Sequence, residues 1–332
     1  MNYSHRQDVS NHFMCRAIVL FFLLSIGSVL LGCISTDQPL ISLQNFKPTQ
    51  TQAPAISNVN TNLNTLIADL EKTMPRAKTE GFIIPGKSDQ DAFKRITIAI
   101  EDNTLDSLIE TASSFNYEIL KVSDHSDSEA ESYVLHERLP ITKGWGLYVF
   151  RIRSAQNIII EAPHPLADKN TPKIALSLYR ALQAQALLIS GTHRNANKDG
   201  SADSAHAPVS IFQTIHETLF QLQKNSDNPA IFIQVHGFAA ASHPNYPQVI
   251  LGHNWKDDPE KDKILQKIVT ALKQQHIKVG ACNGENFLDL CGTENIQSLI
   301  MDGGIFIHIE LDETIRNDDT LLVSCLKQAL SQ

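Results

Sequence analysis

The sequence lacks two patterns that would have pointed to common kinds of site. Its 332 residues contain five cysteines, and no two of them form a Cys-x-x-Cys pair, so neither a thiolate zinc site nor a dithiol redox site is supported. It also contains no run of basic residues and no stripe of basic and aromatic residues. With 36 acidic and 28 basic residues and a formal net charge of −8, the composition argues against binding to nucleic acid.

The N-terminal residues have the features of a bacterial targeting segment. Two arginines precede an apolar stretch, residues 17–31, that is too short to favour a membrane-spanning helix. The stretch ends in Leu-Leu-Gly before Cys33, which resembles the lipobox of bacterial lipoproteins. The resemblance implies lipidation of Cys33 and, because Ile34 is not Asp, attachment to the outer membrane on its periplasmic side. An uncleaved N-terminal anchor is the alternative, and it also places the rest of the chain outside the cytoplasm.

Placement outside the cytoplasm changes how the other cysteines are interpreted. Cys282 and Cys291 bracket a short loop that contains Gly and Asn. In an oxidising compartment such a pair favours a disulfide over two free thiols. We therefore predict a disulfide between Cys282 and Cys291, with Cys325 left as a small buried hydrophobic residue.

Composition divides the chain into four predicted segments. Residues 1–32 form the signal peptide, whose two arginines and one aspartate leave a charge of −9 on the mature chain. Residues 33–60 are rich in Thr, Gln, Asn and Pro, which is typical of a flexible tether. Residues 61–144 show moderate helix and strand signals without a cluster of ligand-like residues, which indicates a supporting α+β subdomain. Residues 145–332 hold all of the candidate site residues described below.

Strand and helix patterns alternate from residue 145 onward. The strand-like runs cover residues 148–152, 157–161, 186–190, 231–235, 249–251 and 305–311. The first two runs are expected to be neighbouring strands, and Thr171 is the expected N-cap of a helix with Pro172 at its first position. Such alternation predicts an α/β fold in three layers, with helices on both faces of a mostly parallel mixed sheet.

Two of these strands lead directly into histidines that can bind a metal. His164 follows one strand between two prolines, which rigidify its loop, and Asp168 lies four residues further on. His236 follows the run 231–235, and Gly237 after it permits close approach of the backbone to a ligand. Two histidines and one carboxylate would leave a fourth zinc position for water, as in catalytic zinc sites. Ordinary hydrogen bonds of these histidines are the alternative interpretation.

A third strand carries Glu310, the candidate proton carrier. Glu310 and His308 lie on one face of an otherwise aliphatic strand, where a buried polar residue needs a partner or serves a site. Hydrolysis of a peptide bond requires a group that accepts a proton and passes it to the leaving amine. The alternative is a structural ion pair of Glu310 with Arg316 or Arg194.

Further polar residues are expected at the same edge of the sheet. Arg194 and Asn195 follow the run 186–190, and they suit a substrate carboxylate or amide, since a guanidinium binds a carboxylate through two parallel hydrogen bonds. His206 precedes a helix and is either a substrate-binding or supporting residue, or an exposed loop histidine.

The order of these motifs resembles that of the phage-type poly-γ-glutamate hydrolases, small zinc enzymes with a carboxypeptidase-A-like core. The matching segments are Pro163-His164 with Asp168 and Thr171, Val235-His236-Gly237, Ile250-Leu-Gly252, Cys291-Gly-Thr-Glu-Asn-Ile296, and Ile309-Glu310-Leu311 with Ile315-Arg316. The resemblance implies that His164, Asp168 and His236 bind Zn²⁺. It also implies that Glu310 is the catalytic carboxylate and that Arg316 takes the place of the family's late arginine, here predicted to bind substrate. The family has Glu, on a longer loop, where this chain has Asp168, so Glu161 competes as the third ligand.

Together these features predict a zinc-dependent hydrolase of amide or peptide bonds in residues 145–332. A small carboxylate-bearing peptide or a cell-wall fragment suits a chain with a charge of −9 better than a long polyanion does, because like charges repel. The membrane is an expected partner through the lipid anchor, and nucleic acid is not. The alternatives are an N-acetylmuramoyl-L-alanine amidase, an N-formylglutamate amidohydrolase-like enzyme, and a lipid-anchored binding protein on a hydrolase fold without metal.

Overall fold

A single mixed β-sheet of ten strands organises the part of the chain that the computed structural model describes, residues 55–127, 130–153, 156–224, 228–256 and 258–330. The strands are β1 (Ser57–Thr61), β2 (Tyr117–Asp124), β3 (Ala130–Glu137), β4 (Leu147–Arg151), β5 (Gln156–Ala162), β6 (Ala184–Ile189), β7 (Ile231–Gly237), β8 (Val249–His253), β9 (Val279–Ala281) and β10 (Ile305–Leu311). Their order is β1-β2-β3-β4-β6-β5-β7-β10-β8-β9. The predicted signal peptide, Cys33 and most of the predicted tether lie outside the described residues.

Helices cover both faces of this sheet. Those in the described residues are α1 (Leu63–Thr73), α2 (Lys87–Glu101), α3 (Ile109–Ser114), α4 (Thr171–Ala181), α5 (Ile211–Gln223), α6 (Pro259–Gln274), α7 (Ile296–Ile300), α8 (Glu313–Asn317) and α9 (Thr320–Leu330). Apolar residues of α1, α4, α6 and α9 pack in one core cluster, and those of α2, α3, α5 and α7 pack in a second. The predicted three-layer α/β fold with a mixed sheet is therefore confirmed. No helix among the described residues is long and apolar enough to cross a bilayer.

The central strands are aliphatic because both of their faces are covered. Every residue of β6 and of β10 is buried, and β5, β6, β7 and β10 pair in parallel in the order β6-β5-β7-β10. Parallel strands with helices on both sides have no solvent face, so their sequences show continuous apolar runs instead of alternation. A polar residue in these runs therefore marks either a satisfied network or a site.

The sequence-based prediction that the first two runs are neighbours is wrong. β6 lies between β4 and β5, antiparallel to β4 and parallel to β5. A strand that returns through a helix pairs in parallel with the strand that it left, so β6 takes the position beside β5. The start of α4 differs by one residue, because the N-cap is Asn170 in a left-handed conformation with φ of 72°.

The N-terminal part of the described chain extends the same sheet. β3 pairs with β2 on one side and with β4 on the other, and the described residues belong to one compact unit, Gln52–Gln332. The predicted boundary between residues 144 and 145 therefore falls between two paired strands of one sheet. A separate supporting role for residues 61–144 stays a prediction.

Candidate metal centre and catalytic site

The carboxyl ends of four parallel strands bring the predicted residues to one edge of the sheet. His164 follows β5, Arg194 follows β6, His236 lies in β7 and Glu310 lies in β10. Because β6, β5, β7 and β10 are adjacent and parallel, their last residues meet. In open α/β sheets this edge is where ligands bind.

His164, Asp168 and His236 converge on one another. The Oδ2 atom of Asp168 lies 3.2 Å from Nδ1 of His164 and 3.3 Å from Nδ1 of His236, and it accepts a hydrogen bond from the backbone N–H of Gly237 at 3.2 Å. All three side chains are buried, and one ligand atom from each lies within 4.8 Å of the others. Two imidazole nitrogens and one carboxylate oxygen form a donor set that Zn²⁺ accepts.

The other nitrogen of His164 is held by a carboxylate. Its Nε2 atom lies 2.8 Å from Oδ1 of Asp203, which can only accept, so Nε2 carries a hydrogen. Nδ1, 3.2 Å from Oδ2 of Asp168, is the nitrogen that a metal can take. A carboxylate behind a metal-binding imidazole commonly fixes the ring in this way. The sequence analysis gave a role to His206 but not to Asp203, because nothing in the sequence places Asp203 beside a residue 39 positions earlier.

Glu161, the competing ligand, is engaged elsewhere. Its Oε1 atom lies 2.7 Å from Nδ1 of His216, and its Oε2 atom accepts a hydrogen bond from Nε2 of Gln234 at 2.9 Å. Glu161 and His216 are both fully buried. Both oxygens of Glu161 are therefore used inside the protein, and it is Asp168 that lies with the two histidines.

The electrostatics of the group suit a cation. Burial disfavours charge on Asp168, yet the adjacent His164 and His236 outweigh it and hold its pKa below the usual range. The pKa of Asp203 is lowered in the same way, mainly by His164 and His206 against the effect of burial. Burial and then the neighbouring His308 lower the pKa of His236 to about 4. His236 is therefore neutral near pH 7, with a lone pair free for a ligand bond.

Glu310 presents an unpaired oxygen to the same place. It faces His236 across the β7–β10 pair, and its Oε1 atom lies 3.3 Å from Nε2 of His308. Its Oε2 atom is buried and has no hydrogen-bond partner among the described residues. A buried carboxylate oxygen without a partner is costly, which favours a function for it. Within the described residues, Glu310 forms no ion pair with Arg194 or Arg316.

Arg316 is buried and its donors bind the backbone. Its Nε, Nη1 and Nη2 atoms donate to the carbonyl oxygens of Leu311, Lys169 and Phe238 at 3.1, 2.9 and 2.9 Å. These contacts hold the loop that follows Asp168 against the end of β7. Its predicted role in substrate binding stays a prediction.

The glycine after His236 is required by this arginine. A Cβ atom on Gly237 would lie 2.6 Å from Cδ of Arg316. Sequence reasoning ascribed Gly237 to the approach of a ligand, whereas the structure shows the arginine side chain crossing it.

Arg194, Asn195 and His206 lie at the outer side of the group. The side chain of Arg194 is 36% exposed, and its Nη2 atom lies 2.6 Å from Oδ2 of Asp203. Asn195 is exposed, and the side chain of His206 is 44% exposed with Nδ1 at 3.1 Å from Oδ1 of Asp203. All three are therefore within reach of solvent, as substrate-binding residues must be, and that role stays a prediction for each.

His164, Asp203 and His206 form a second group with possible ligand atoms. It shares His164 with the first group, and the second oxygen of Asp203 binds the guanidinium of Arg194. A carboxylate that is already paired with a guanidinium and with His164 is a weaker ligand for a second cation. We therefore interpret Asp203 as the residue that orients His164.

The predicted disulfide between Cys282 and Cys291 is present, and Cys325 is free and buried as expected. The residue after the disulfide, Gly292, lies against the site, because a Cβ atom on it would be 2.6 Å from Nδ1 of His308. Its φ of +64° is also one that glycine adopts readily. The disulfide-closed loop thus abuts the histidine that contacts Glu310.

Comparisons with known proteins give structural similarities only. No family model matches the sequence, and no curated protein matches it. The chain is similar to the solved structure of a bacteriophage poly-gamma-glutamate hydrolase (14% identity over 54% of this chain and 85% of that one, TM-score 0.39). It is also similar to N-formylglutamate amidohydrolase from Ralstonia eutropha JMP134 (12% identity over 54% of this chain and 93% of that one, TM-score 0.37). A third similar structure is a metallo-carboxypeptidase from Burkholderia cenocepacia (11% identity over 68% of each chain, TM-score 0.38). Similarity at this level carries no argument about activity, so the function proposed below rests on the site.

Proposed function

We propose that this protein is a zinc-dependent hydrolase of amide or peptide bonds. The observation that carries the proposal is the convergence of two imidazole Nδ1 atoms on Oδ2 of Asp168, at 3.2 and 3.3 Å. His164 and His236 each hold an acceptor at the opposite nitrogen. Both rings therefore have Nδ1 available at the same point, which fits metal binding by His164, Asp168 and His236.

The residues around this point can carry out the remaining chemistry. Zinc, when bound, supplies Lewis acidity for the scissile carbonyl and for the attacking water. Glu310 accepts the proton of that water on its unpaired Oε2 and passes it to the leaving nitrogen. His308 holds the other oxygen of Glu310, and burial keeps bulk water from competing for the proton.

A small substrate with a carboxylate suits the outer side of the site. Arg194 is partly exposed and is held in place by Asp203 at 2.6 Å, so its remaining donors can bind a substrate carboxylate in a defined position. The excess of acidic residues disfavours a long polyanion. We therefore propose a short peptide or a cell-wall fragment as the substrate.

We also propose that the protein acts in the bacterial envelope, attached through a lipid on Cys33. The lipobox-like residues before Cys33 support this placement, and the disulfide between Cys282 and Cys291 suits an oxidising compartment. Membrane fractionation tests it: the intact chain should partition with the outer membrane, and a Cys33→Ala variant should not.

The alternative enzymes differ in the bond that they cleave. An N-acetylmuramoyl-L-alanine amidase would release a free lactyl carboxyl on the sugar of a muropeptide, whereas a peptidase would shorten the peptide. Product analysis of digested muropeptides separates the two outcomes, and hydrolysis of N-formylglutamate tests the third.

Metal analysis of the purified soluble form tests the proposal itself. We expect about one zinc ion per chain, lost in His164→Ala and in His236→Ala, because each removes one of three protein ligands. His276→Ala, at an exposed histidine, is the control and should retain the metal. A protein that binds no metal under zinc-replete conditions would instead be a binding protein on a hydrolase fold.

A further inference from the structure

A row of polar side chains crosses the buried face of the sheet directly behind His236. Glu161 of β5, Gln234 of β7 and His308 of β10 occupy the same register on adjacent strands. Gln234 is at the centre of this row and has no exposed surface. A buried amide on a central parallel strand is unfavourable unless all of its hydrogen bonds are made.

Gln234 makes four hydrogen bonds. Its Oε1 atom lies 2.7 Å from Nε2 of His236 and accepts a second hydrogen bond from Nδ2 of Asn295. Its Nε2 atom donates to Oε2 of Glu161 at 2.9 Å and to Oε1 of Gln297 at 3.2 Å. The two lone pairs and the two hydrogens of the amide are thus all used.

The partners of Gln234 fix the direction in which its amide points. Glu161 has both oxygens engaged as acceptors, so the NH₂ group of Gln234 must face it. The amide of Gln297 is fixed in turn, because its Nε2 atom donates to the carbonyl oxygen of Ser204 at 2.9 Å and to Oε1 of Gln213 at 2.6 Å. The oxygen of Gln234 is therefore the atom that meets His236.

From this arrangement we infer that Gln234 is a positioning residue that selects the metal-binding tautomer of His236. An amide oxygen can only accept, and at 2.7 Å from Nε2 it is the nearer acceptor, since Oδ2 of Asp168 lies 3.3 Å from Nδ1. Nε2 of His236 therefore carries the hydrogen, and Nδ1 is left for the metal. The inference deepens the proposed function and rests on it for the identity of the metal site. His164 is oriented by the charged Asp203, whereas His236 is oriented by a neutral amide within the sheet.

The network also connects His236 to the disulfide-closed loop. Asn295 lies four residues after Cys291, and its backbone N–H donates to the carbonyl oxygen of Gly292 at 3.1 Å. Its side chain caps α7 through Oδ1, which accepts from the backbone N–H of Gln297 at 3.0 Å. The residues that hold Gln234 are thus fixed by the loop and by α7.

The first test measures the tautomer of His236 in the zinc-free protein, by NMR of histidine labelled with ¹⁵N in the ring. In the wild-type protein we expect hydrogen on Nε2 of His236 near pH 7. In Gln234→Met, which keeps the length of the side chain but has no acceptor, we expect loss of this preference. Gln234→Glu should retain it as the neutral acid that the adjacent Glu161 favours, because one carboxyl oxygen then donates to Glu161 and the other accepts from Nε2 of His236.

The second test measures zinc affinity by competition with a chelator. Gln234→Met should weaken zinc binding about 10- to 100-fold, as loss of a residue that orients a metal ligand commonly does, and Gln234→Glu should recover most of it. Gln185→Met is the matched control: Gln185 is a buried glutamine of β6 whose amide donates to Glu101, away from the site. It should lower stability and leave zinc affinity within about twofold of the wild-type value.

Three results would overturn the inference. The first is hydrogen on Nδ1 of His236 in the zinc-free wild-type protein, which can be read even if Gln234→Met does not fold. The second is a folded Gln234→Met protein with unchanged tautomer and unchanged zinc affinity. The third is an equal loss of affinity in Gln185→Met. A wild-type protein with the expected tautomer that binds no zinc would refute the proposed function alone, because the tautomer is measured without metal.

Discussion

The two faces of β5, β7 and β10 have opposite characters at the same height in the sheet. On one face, Ile160, Val235 and Ile309 are fully buried in the aliphatic cluster formed with α1, α4, α6 and α9. On the other face, their direct neighbours Glu161, His236 and Glu310 belong to the candidate site and its supporting network. Side chains alternate between faces along a strand, so adjacent residues of one strand serve separate purposes.

The polar face itself changes character along the strands. Ile159, Phe232 and Phe306 lie on it near the middle of the sheet and pack in the second apolar cluster. Only toward the carboxyl ends do polar residues replace them. The apolar part supports the sheet on α5, and the polar part lies where a ligand can reach it. This separation predicts that stability and catalysis respond to different substitutions in the same strand.

The largest expected effect is that of Glu310→Gln on turnover. The amide cannot accept the proton of the attacking water, so we expect kcat to fall about 10²- to 10⁴-fold while zinc stays bound and the thermal midpoint changes little. Steady-state kinetics and metal analysis measure both. Glu294→Gln, at an exposed glutamate, should leave kcat unchanged. Full turnover in Glu310→Gln would remove it from the mechanism.

The neighbouring substitution, Ile309→Ala, should do the reverse. It removes buried methyl groups from the aliphatic face and leaves a cavity, which costs about 2–5 kcal/mol of the free energy of unfolding. Zinc affinity per folded molecule should be unchanged. Urea unfolding and chelator competition on the same preparation measure the two quantities. A loss of zinc affinity as large as that in a histidine variant would show that the two faces are coupled.

A smaller effect is expected for Asp203→Asn, which removes the charge behind His164. We expect zinc affinity to fall about 10- to 100-fold, because the amide polarises the imidazole less than a carboxylate does and no longer pairs with Arg194. Asp199→Asn is the control, since Asp199 lies in the same loop and is exposed. Equal affinities of the two variants would argue against orientation of His164 by Asp203.

The last effect is a pH dependence of stability in the zinc-free protein, which is small for each pH unit. The ordinary pKa of histidine, 6.5, applies to His236 in the unfolded chain, and its pKa is about 4 in the folded protein. Its contribution to the free energy of unfolding is therefore fully present above pH 6.5 and is lost as the pH falls toward 4. The pKa of His164 is raised, so its contribution to the free energy of unfolding is fully present below pH 6.5. The pKa values of Asp168 and Asp203 are lowered, so their stabilising contributions are lost only as the pH falls below 3.8. The slope due to His236 is at most about 1.4 kcal/mol per pH unit.

Urea unfolding of the zinc-free protein between pH 6.5 and 4 measures this slope. His236→Asn should lower the measured slope by this amount, because other groups with shifted pKa values, such as Glu71 and His136, contribute in both proteins. His276→Asn is the control, because His276 is exposed and has a φ of 60° that asparagine also adopts. The same slope in His236→Asn as in the wild-type protein would contradict the prediction.

Much of the fold could be predicted because local patterns of apolar residues indicate the individual strands and helices. The run 305–311 coincides with β10, and the runs 231–235 and 249–251 lie within β7 and β8. The order of the strands could not be predicted in the same way. Whether β4 pairs with β5 or with β6 depends on pairings between distant residues, and the periodicity of each run is the same in both cases.

The candidate site divides along the same line. His164, His236 and Glu310 stand out in the sequence because each follows or interrupts an apolar run. Asp203 does not stand out, because it lies in a polar loop. Gln234 interrupts an apolar run, but an amide is neither a preferred zinc ligand nor a proton carrier, so the sequence gives it no role. Their importance depends on distant contacts: Asp203 contacts His164, 39 residues away in the sequence, and Gln234 contacts Asn295, 61 residues away.

The sequence by itself determined which residues have the chemistry for a metal and a proton, and that they lie at the ends of buried strands. Burial of an ionisable side chain is costly enough that such a pattern is rarely accidental. Only the tertiary structure decided that Asp168, and not Glu161, lies with the two histidines, and that Asp203 and Gln234 set the nitrogen that each presents. Hydrogen-bond direction depends on positions in space, and those come from strands and loops distant in the chain.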